Sequence, residues 1–357
     1  MISTMTIASN LVGPITIVLD KFGSRRALLF SSALISLGLL IVPLTSSILQ
    51  IAISFALLVG PGIGITYVVN KAVLGRHFSR HYTLASGIGH SGYAVGLLVL
   101  TPLTQVFLDT YGWRGATLLI AGITMHMIPC AALIRDTTPQ YAPPTEKNDD
   151  TTSGTSGSIW LRFYQRADLQ LLTDFNFWML CIIVLAVNIT CASWVVYYVP
   201  HLLVKDFLPR VAATLSLAAG IGYFFGMTVG PFIDRGLIKC STATVIVSVA
   251  LSLSFLVDPW VSDVVAIAVV TFIYGLTSSA MFILSDVLAT QIFGIDRLTN
   301  VFAWLDVLSA PVGVTSQVLP GWIYDISGSY DIAFIVIGLI PMLALFPLII
   351  AKLRHGV

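Results

Sequence analysis

The sequence predicts an all-α, polytopic membrane protein. Of its 357 residues, 57% are apolar and only 10% are charged, whereas soluble domains carry roughly 25% charged residues. The mean hydropathy is +0.93, and nearly charge-free runs recur along the chain, each close to the about 20 residues that cross a bilayer. So few charges cannot cover a soluble protein, and the net charge of +1 gives no basic patch. These observations exclude a soluble enzyme, a nucleic-acid-binding protein and a disulfide-rich secreted scaffold.

Apolar runs between charged and turn-forming residues define eleven helices. Their approximate spans are 4–19, 27–45, 48–74, 83–107, 115–134, 175–199, 211–233, 240–257, 262–292, 298–322 and 331–351. The intervening segment 135–174 is rich in Pro, Ser, Thr and Gly, and such a composition buries too little apolar surface to order itself. We therefore predict an N-terminal helical half (1–134), a flexible linker (135–174) and a C-terminal helical half (175–357).

The positions of Lys and Arg predict the orientation. If the loop at 20–26 lies in the cytoplasm and successive helices alternate in direction, fourteen of the eighteen basic residues face the cytoplasm. Such an excess of positive charge is typical of cytoplasmic loops. The linker is then cytoplasmic as well.

The two halves repeat each other. Asp20-Lys21-Phe22-Gly23 recurs as Asp234-Arg235-Gly236 after 214 residues, and Asp109-x-x-Gly112 recurs as Asp325-x-x-Gly328 after 216 residues. Parallel repeats of this kind are typical of transporters that bind their solute at the midplane between the halves. The helix at 175–199 has no counterpart in the first half. We therefore expect an N-terminally shortened twelve-helix protein in which eleven helices are present and the first is absent.

The turn after the first helix predicts a gate at the cytoplasmic face. Its Asp can accept charge-assisted hydrogen bonds from a helix N-terminus or from an Arg across the interface between the halves. The cytoplasmic gate comprises this turn and its repeat: Asp20, Gly23, Arg25, Arg26, Asp234 and Arg235. The alternative interpretation is that these charges only set the topology.

Several motifs carry a family resemblance. They are the segment 75–87 (GRHFSRHYTLASG, with Arg76, Phe78, Arg80 and Gly87), the turn 112–116 (GWRGA, with Gly112, Trp113 and Arg114), and the late segments 297–300, 321–325 and 328–331. With these motifs, the chain resembles the monocarboxylate transporter branch of the major facilitator superfamily from about residue 11 to 350. The resemblance implies a bundle of two pseudo-symmetric halves, holding family helices 2–6 and 7–12.

One departure from the family concerns its eighth helix. Proton-coupled lactate carriers of this family place an Asp and an Arg there, four residues apart, and the corresponding positions here are Gly222 and Gly226. The Arg that would grip a carboxylate is therefore missing. Because small residues let helices approach closely, we expect the stripe Gly222, Gly226 and Gly230 to serve helix packing.

Ionisable residues inside the predicted helices are candidates for the transport site, because charge at membrane depth is costly and usually faces a cavity. They are Lys71, His90, His126, Asp286 and Asp306. At 1.5 Å per residue, the two histidines and the two aspartates lie roughly 12–16 Å from the cytoplasmic ends of their helices, so they can form one polar layer. Two neighbouring carboxylates would share a proton, and a histidine could relay it. The layer would then serve either proton coupling or the binding of a cation. The alternative is four unrelated polar residues.

Three further residues have two interpretations each. Lys71 lies five residues before Arg76, where it either joins the site or extends its side chain to the membrane interface. Asn70 and Tyr223 either bind solute or form hydrogen bonds between helices. The glycine-rich segment 60–64 either bends its helix or packs it tightly.

We expect the chain to transport a small organic solute, of monocarboxylate type, by alternating access, as a secondary active or facilitative carrier. The alternatives are a non-transporting membrane sensor or subunit and an inactive truncated product. The tetrapeptide 89–92 (GHSG) matches rhomboid-type intramembrane proteases, but the duplicated halves and the number of helices argue against an enzyme. No metal or cofactor motif occurs. The expected partners are the solute, protons, the lipid bilayer and a single-helix ancillary membrane protein, with no nucleic acid, and the expected location is the plasma membrane.

Overall fold

The computed structural model of the chain describes residues 2–19, 23–78, 81–135 and 168–349. The predictions made for Asp20, Arg80 and linker residues 136–167 lie outside the described residues. We number the helices in chain order: α1 (Ile2–Leu11, continued by Gly13–Leu19), α2 (Ser24–Leu44), α3 (Ile48–His77), α4 (82–111), α5 (113–133), α6 (Phe175–Val204), α7 (Pro209–Asp234), α8 (Cys240–Trp260), α9 (Val264–Phe293), α10 (Leu298–Ser327) and α11 (Tyr330–Ile349).

The prediction of eleven helices is confirmed. Nine continuous helical stretches of the described chain are long and apolar enough to cross a membrane. One of them, Tyr82–Leu133, reverses at Gly112 into α4 and α5, and α1 is the eleventh helix. Gly112 has φ +68° and ψ 179°, a backbone region essentially confined to glycine. The loop expected at 108–114 is therefore a single residue.

Local side chains set where several helices begin and end. Asp174 Oδ1 accepts a hydrogen bond from the backbone N–H of Asn176 (2.9 Å) at the start of α6, and Asp263 Oδ2 accepts from two backbone N–H groups at the start of α9 (3.0 and 3.1 Å). Such caps satisfy amide groups that have no partner within the helix. At the end of α9, Gly294 adopts φ +72°, which ends the helix at little steric cost.

Two helices widen just before a proline. The π-helical turn Phe55–Val59 of α3 precedes Pro61, and the turn Gly96–Leu100 of α4 precedes Pro102. Proline has no backbone N–H and its ring clashes with the preceding turn, so a wider turn relieves both problems. The glycines beside Pro61 also pack tightly: a Cβ added to Gly62 would lie 2.6 Å from Ile35 Cγ1 of α2. The segment 60–64 therefore both distorts α3 and packs it closely.

The helices alternate in direction, so the turns gather at two ends of the bundle. We call the end that contains Gly23, Arg135, Asp168 and Arg235 the linker end, which is the predicted cytoplasmic end, and we call the opposite end the far end. Among the described residues, the most extensive contacts between the N-terminal helices α1–α5 and the C-terminal helices α6–α11 are those of α1 with α10, α3 with α10, α4 with α7, and α4 with α9. These crossings position the candidate site.

The end of the predicted linker is held against the bundle. Residues Leu169–Thr173 form a 3-10 turn. Asp168 Oδ2 accepts a hydrogen bond from Arg297 Nε at 2.6 Å and lies 2.6 Å from Arg297 Nη2. Such charge-assisted contacts are stronger than hydrogen bonds between neutral groups. An ion pair therefore joins the described end of the predicted linker to the start of α10.

Candidate functional site

A buried ionic contact joins the N-terminal and C-terminal helices near the linker end. Asp286 of α9 lies 2.6 Å (Oδ1) from Lys71 Nζ of α3 and 2.9 Å (Oδ2) from His90 Nε2 of α4. The hydroxyl of Ser86, one turn before His90, donates to the same carboxylate at 3.3 Å. Only 3% of the Asp286 side chain is exposed. The Asp286 carboxylate therefore links α9 to α3 and α4.

Aromatic rings hold the lysine and the histidine in this contact. The ammonium of Lys71 lies 4.1 Å from the centroid of the Tyr67 ring and 4.6 Å from that of Phe302 in α10. The imidazole of His90 stacks on Phe282 with centroids 5.9 Å apart. Ring faces attract cations and exclude water. The interpretation of Lys71 as a side chain that merely reaches for the interface is therefore wrong, because its ammonium bonds inside the bundle.

Asp306 lies in α10, one helical turn after Phe302. It is half-buried and lies within electrostatic range of Lys71 and Asp286 inside the bundle. Unlike Asp286, it forms no hydrogen bond or ion pair with any side chain in the described part of the chain. The structure therefore brings together four of the five predicted ionisable residues, of which Lys71, His90 and Asp286 are in direct contact.

The structure does not bring His126 to this group. His126 is exposed on α5, and its Nδ1 lies 3.2 Å from the backbone carbonyls of Gly122 and Ile123 in its own helix. Asn70 of α3 is also exposed, and no contact joins it to Asp286 among the described residues. Tyr223 of α7 is buried, and its ring contacts that of Tyr93 in α4 with centroids 4.9 Å apart.

At the linker end, Asp234 bonds across the interface between the two sets of helices. Its Oδ2 accepts a hydrogen bond from the backbone N–H of Leu84 in the first turn of α4, at 3.0 Å. Close packing continues alongside: a Cβ on Gly230 would lie 3.1 Å from the Thr83 carbonyl oxygen, and one on Gly87 would lie 3.3 Å from Met227 Cβ. Of the other gate residues, Gly23 directly precedes α2 with φ +101°, and Arg25, Arg26 and Arg235 are exposed.

Arg76, from the family motif, forms a second bridge at the linker end. Its guanidinium donates to Ser24 Oγ of α2 and to Thr299 Oγ1 of α10, both at 3.1 Å. One side chain therefore links three helices. Phe78 of the same motif is half exposed. At the far end, the guanidinium of Arg114 lies over the ring of Trp113 at 5.1 Å.

The glycine stripe of α7 serves helix packing, as predicted, with Gly222 and Gly226 against α9 and Gly230 against α4. A Cβ on Gly226 would lie 2.7 Å from the Leu276 carbonyl oxygen, and one on Gly222 would lie 2.9 Å from the Leu276 nitrogen. No larger side chain fits at either position. The positions that correspond to the family's Asp and Arg are therefore closed by the neighbouring backbone.

A second buried ionic cluster lies at the far end, within the C-terminal helices. His201 Nε2 of α6 lies 2.7 Å from Asp258 Oδ2, and its Nδ1 lies 3.8 Å from Asp331 Oδ1 of α11. Lys205 Nζ donates to the Asp258 carbonyl oxygen at 2.6 Å, and the His201 ring stacks on Phe334 with centroids 4.3 Å apart. This cluster fixes α6 to α11 and to the turn after α8.

Sequence reasoning missed the residues that support the central contact. Ser86, Tyr67 and Phe302 gave no separate signal, since hydroxyl and aromatic side chains are common in membrane helices. The pairing of Lys71 with Asp286 did have a signal: intramembrane charges of opposite sign usually pair. Within the described ranges, no three His, Cys, Asp or Glu side chains are grouped as a metal site requires.

The major facilitator superfamily model matches residues 1–314. The chain belongs to the major facilitator superfamily. This assignment accounts for the alternating helices and for the division of the bundle into two sets. It also makes the chain a multi-pass membrane protein.

Its curated relatives are monocarboxylate transporters. Monocarboxylate transporter 12 of Rattus norvegicus is 26% identical over 344 residues, which cover 90% of this chain and 70% of the relative. Monocarboxylate transporter 13 of Bos taurus is 27% identical over 327 residues, which cover 89% and 71%. Family and relatives together show a monocarboxylate transporter-like member of the superfamily, and thus a transmembrane solute transporter.

A solved structure shares the fold. The crystal structure of the human organic anion transporter MFSD10 (TETRAN) superimposes with a TM-score of 0.64, covering 97% of this chain and 82% of that one, at 14% sequence identity. At that identity the likeness concerns the fold alone.

Proposed function

We propose that the chain carries a small, carboxylate-bearing organic solute by alternating access, with Lys71, His90 and Asp286 as the coupling site. The names of its relatives, which are monocarboxylate transporters, support the solute class. In this proposal, α1–α5 and α6–α11 are the two rocking halves, and residues 135–174 connect them on the cytoplasmic side. The observation that carries the proposal is the 2.6 Å contact of Lys71 with Asp286. This ion pair joins the two halves, a proton can neutralise the Asp286 carboxylate, and the carboxylate of a solute can take its place beside Lys71.

The proposed cycle exchanges partners at Asp286. A proton adds to the Asp286 carboxylate, which removes its negative charge and frees the Lys71 ammonium. The carboxylate of the solute then accepts a hydrogen bond from Lys71 in place of Asp286. Since Asp286 no longer ties α9 to α3 and α4, the linker ends of the halves can separate and release solute and proton together. His90 can pass the proton to Asp286, from which its Nε2 is 2.9 Å away.

Other titratable groups interact electrostatically with Asp286. They are Tyr67 and Lys71 of α3, Tyr82 and His90 of α4, Tyr223 of α7 and Asp306 of α10. Phenol groups stay neutral in the physiological range. The proton exchange therefore concerns His90 and the two carboxylates.

Three further elements belong to this proposal. Protons are the coupling ion, which makes the carrier a symporter. The plasma membrane is the location, and a single-helix ancillary membrane protein is a partner, both of which rest on the resemblance to the monocarboxylate transporter branch. Co-expression with candidate single-helix proteins, scored by the amount of carrier at the cell surface, tests the last two.

The test of transport is uptake into cells that express the chain at their surface. Labelled lactate, pyruvate, ketone bodies, carnitine, creatine and aromatic amino acids are supplied at an external pH of about 6 and about 7.5, a difference worth about 2 kcal/mol of proton driving force. We expect faster uptake at the lower pH and loss of this acceleration in Asp286→Asn. His126→Gln is the matched control, since His126 lies outside the group. Uptake that is indifferent to pH and to Asp286→Asn would contradict the proposed coupling.

A further inference from the structure

Three side chains of α4 that can carry a proton lie on one face of the helix. Tyr82, Ser86 and His90 are spaced by four residues, and residues at this spacing lie one above the other, about 6 Å apart along the helix axis. The Ser86 hydroxyl and His90 Nε2 both contact Asp286 Oδ2, at 3.3 and 2.9 Å. Tyr82 is the first residue of α4. The three residues therefore lead from the coupling site toward the linker end.

The Tyr82 hydroxyl is buried without a hydrogen-bond partner. Only 6% of the residue is exposed, and Oη forms no hydrogen bond with any of the described residues. Thr290 of α9 lies close by, but the two hydroxyls are not placed for a hydrogen bond. Thr290 instead donates to the Asp286 backbone carbonyl at 2.9 Å. Because a buried hydroxyl without a partner is unfavourable, phenylalanine would be the more stable residue here unless the hydroxyl has a role.

Tyr82 lies where the two halves meet at the linker end. Its Cε2 is 3.6 Å from the position that a Cβ on Gly75 of α3 would occupy, and Leu298 Cδ1 of α10 is 2.7 Å from the same position. Helices of both halves therefore surround the ring, and the hydroxyl oxygen is shielded from solvent. A line of proton-carrying groups along α4 is thus interrupted at Tyr82 as long as the linker end is closed.

We propose that His90, Ser86 and Tyr82 conduct the proton through the coupling site, and that the Tyr82 hydroxyl releases it at the linker end. This inference rests on the proposed transport function and adds the route by which the proton leaves. When the halves separate, the Asp286 carboxyl gives its proton to Ser86 Oγ. The Ser86 proton passes through one bridging water molecule to Tyr82 Oη, and the Tyr82 proton passes to solvent. Each hydroxyl gains one proton and loses one, so only Asp286 changes its charge.

The surroundings of Tyr82 suit a neutral relay. The titratable groups that act on its hydroxyl are Asp286 of α9 and Lys71 and Tyr67 of α3. Phenol groups stay neutral in the physiological range, and a serine hydroxyl carries no charge. The path therefore adds no fixed charge inside the membrane, where charge is costly. Its interruption at Tyr82 also keeps protons from crossing while the linker end is closed.

The experiment separates proton release from the movement of the halves. Cells expressing the full chain receive the labelled panel described above in two modes. Net uptake at an external pH of about 6 requires that the proton is released inside. Exchange of labelled external compound for the same unlabelled compound preloaded inside, at equal pH on both sides, lets the proton stay bound. In Tyr82→Phe we expect net uptake to fall about tenfold, a barrier higher by about 1.4 kcal/mol, and exchange to stay unchanged, because the ring still packs beside Gly75.

Two further variants keep the outcomes distinct. Ser86→Ala interrupts the same path and should act like Tyr82→Phe. Tyr111→Phe removes the same hydroxyl from an exposed tyrosine at the far end of α4 and should leave both modes unchanged.

An equal loss of net uptake and exchange in Tyr82→Phe would reduce Tyr82 to packing and overturn the inference, and so would an unchanged net uptake. In both cases the proposed transport stands, provided that Asp286→Asn abolishes the acceleration at low pH. If Asp286→Asn keeps that acceleration, the proposed coupling fails and this inference fails with it.

Discussion

Asp234 accepts a hydrogen bond from the backbone N–H of Leu84 at 3.0 Å, so a carboxylate at the end of α7 caps the first turn of α4. The two helices belong to opposite sets. The unpaired N–H groups of a helix start carry partial positive charge, and here the neutralising carboxylate comes from across the interface. The sequence analysis predicts that an Asp of the repeated turn accepts a hydrogen bond from a helix N-terminus across the interface, and Asp234 does so.

Removing this cap should loosen the linker end. In Asp234→Ala, the first turn of α4 loses its acceptor, at a cost of about 1 kcal/mol for a helix cap, or roughly a fivefold shift in the equilibrium toward the open state. A cysteine in place of Met227, which packs on Gly87 behind the cap, reports the opening. In inside-out vesicles, with the four native cysteines replaced, its alkylation should be about fivefold faster. The control is Asp296→Asn, which removes an exposed carboxylate just before α10. Equal alkylation rates in Asp234→Ala and in this control would show that the cap does not hold the gate closed.

The contact between α7 and α9 should tolerate no added methyl group. In Gly226→Ala the new Cβ would meet the Leu276 carbonyl oxygen at 2.7 Å, and overpacking of this kind costs typically 1–3 kcal/mol. Gly92→Ala is the matched control, because nothing lies within 4 Å of a Cβ there and alanine is the better helix former by about 1 kcal/mol. Thermal unfolding in detergent should show a lower midpoint for the first variant and an equal or higher one for the second. The reverse order would refute the packing role of Gly226.

The charges of Lys71 and Asp286 should be interdependent. Lys71→Gln alone leaves a buried carboxylate without its cation, and removing one partner of a buried pair costs about 3–5 kcal/mol. Asp286→Asn alone leaves the ammonium. The double variant removes both charges of the pair, so its loss of unfolding free energy should be smaller than the sum of the single losses. A denaturant titration of the four proteins measures this difference, and strictly additive losses would mean that the two side chains do not interact.

The far-end cluster should stabilise the C-terminal helices without taking part in transport. His201→Gln removes both contacts of the ring with carboxylates, so Asp258 loses its 2.7 Å partner. An unsatisfied buried group costs about 1–3 kcal/mol. We expect a lower unfolding midpoint with an unchanged ratio of uptake at acidic and neutral pH, whereas the control His126→Gln should leave both unchanged. A changed pH ratio in His201→Gln would instead place this histidine in the transport cycle.

The sequence predicts the depth of a residue in the membrane better than it predicts which residues that side chain contacts. Counting residues from the helix ends correctly placed His90 and Asp286 at one level, and the structure puts them in contact. The same count placed His126 at that level, but His126 lies on an outward face of α5. Axial rise is the same in every helix, whereas the direction of a side chain around the helix depends on which helices pack beside it.

Features that depend on few residues close in sequence could be predicted. The number of helices follows from the apolar runs, and the close packing of α7 follows from glycines spaced by four, whereas its partner helix does not. The contact between Asp168 and Arg297 could not be predicted, because it joins residues 129 positions apart.

The single-residue reversal at Gly112 makes α4 and α5 one mechanical part. Because no loop separates them, we expect a tilt of α4 against α7 to move α5 as well. Leu118 and Leu133 of α5 are exposed apolar residues, so in a bilayer we expect this movement to displace the surrounding hydrocarbon. The thickness of the bilayer should then influence how readily the carrier changes conformation.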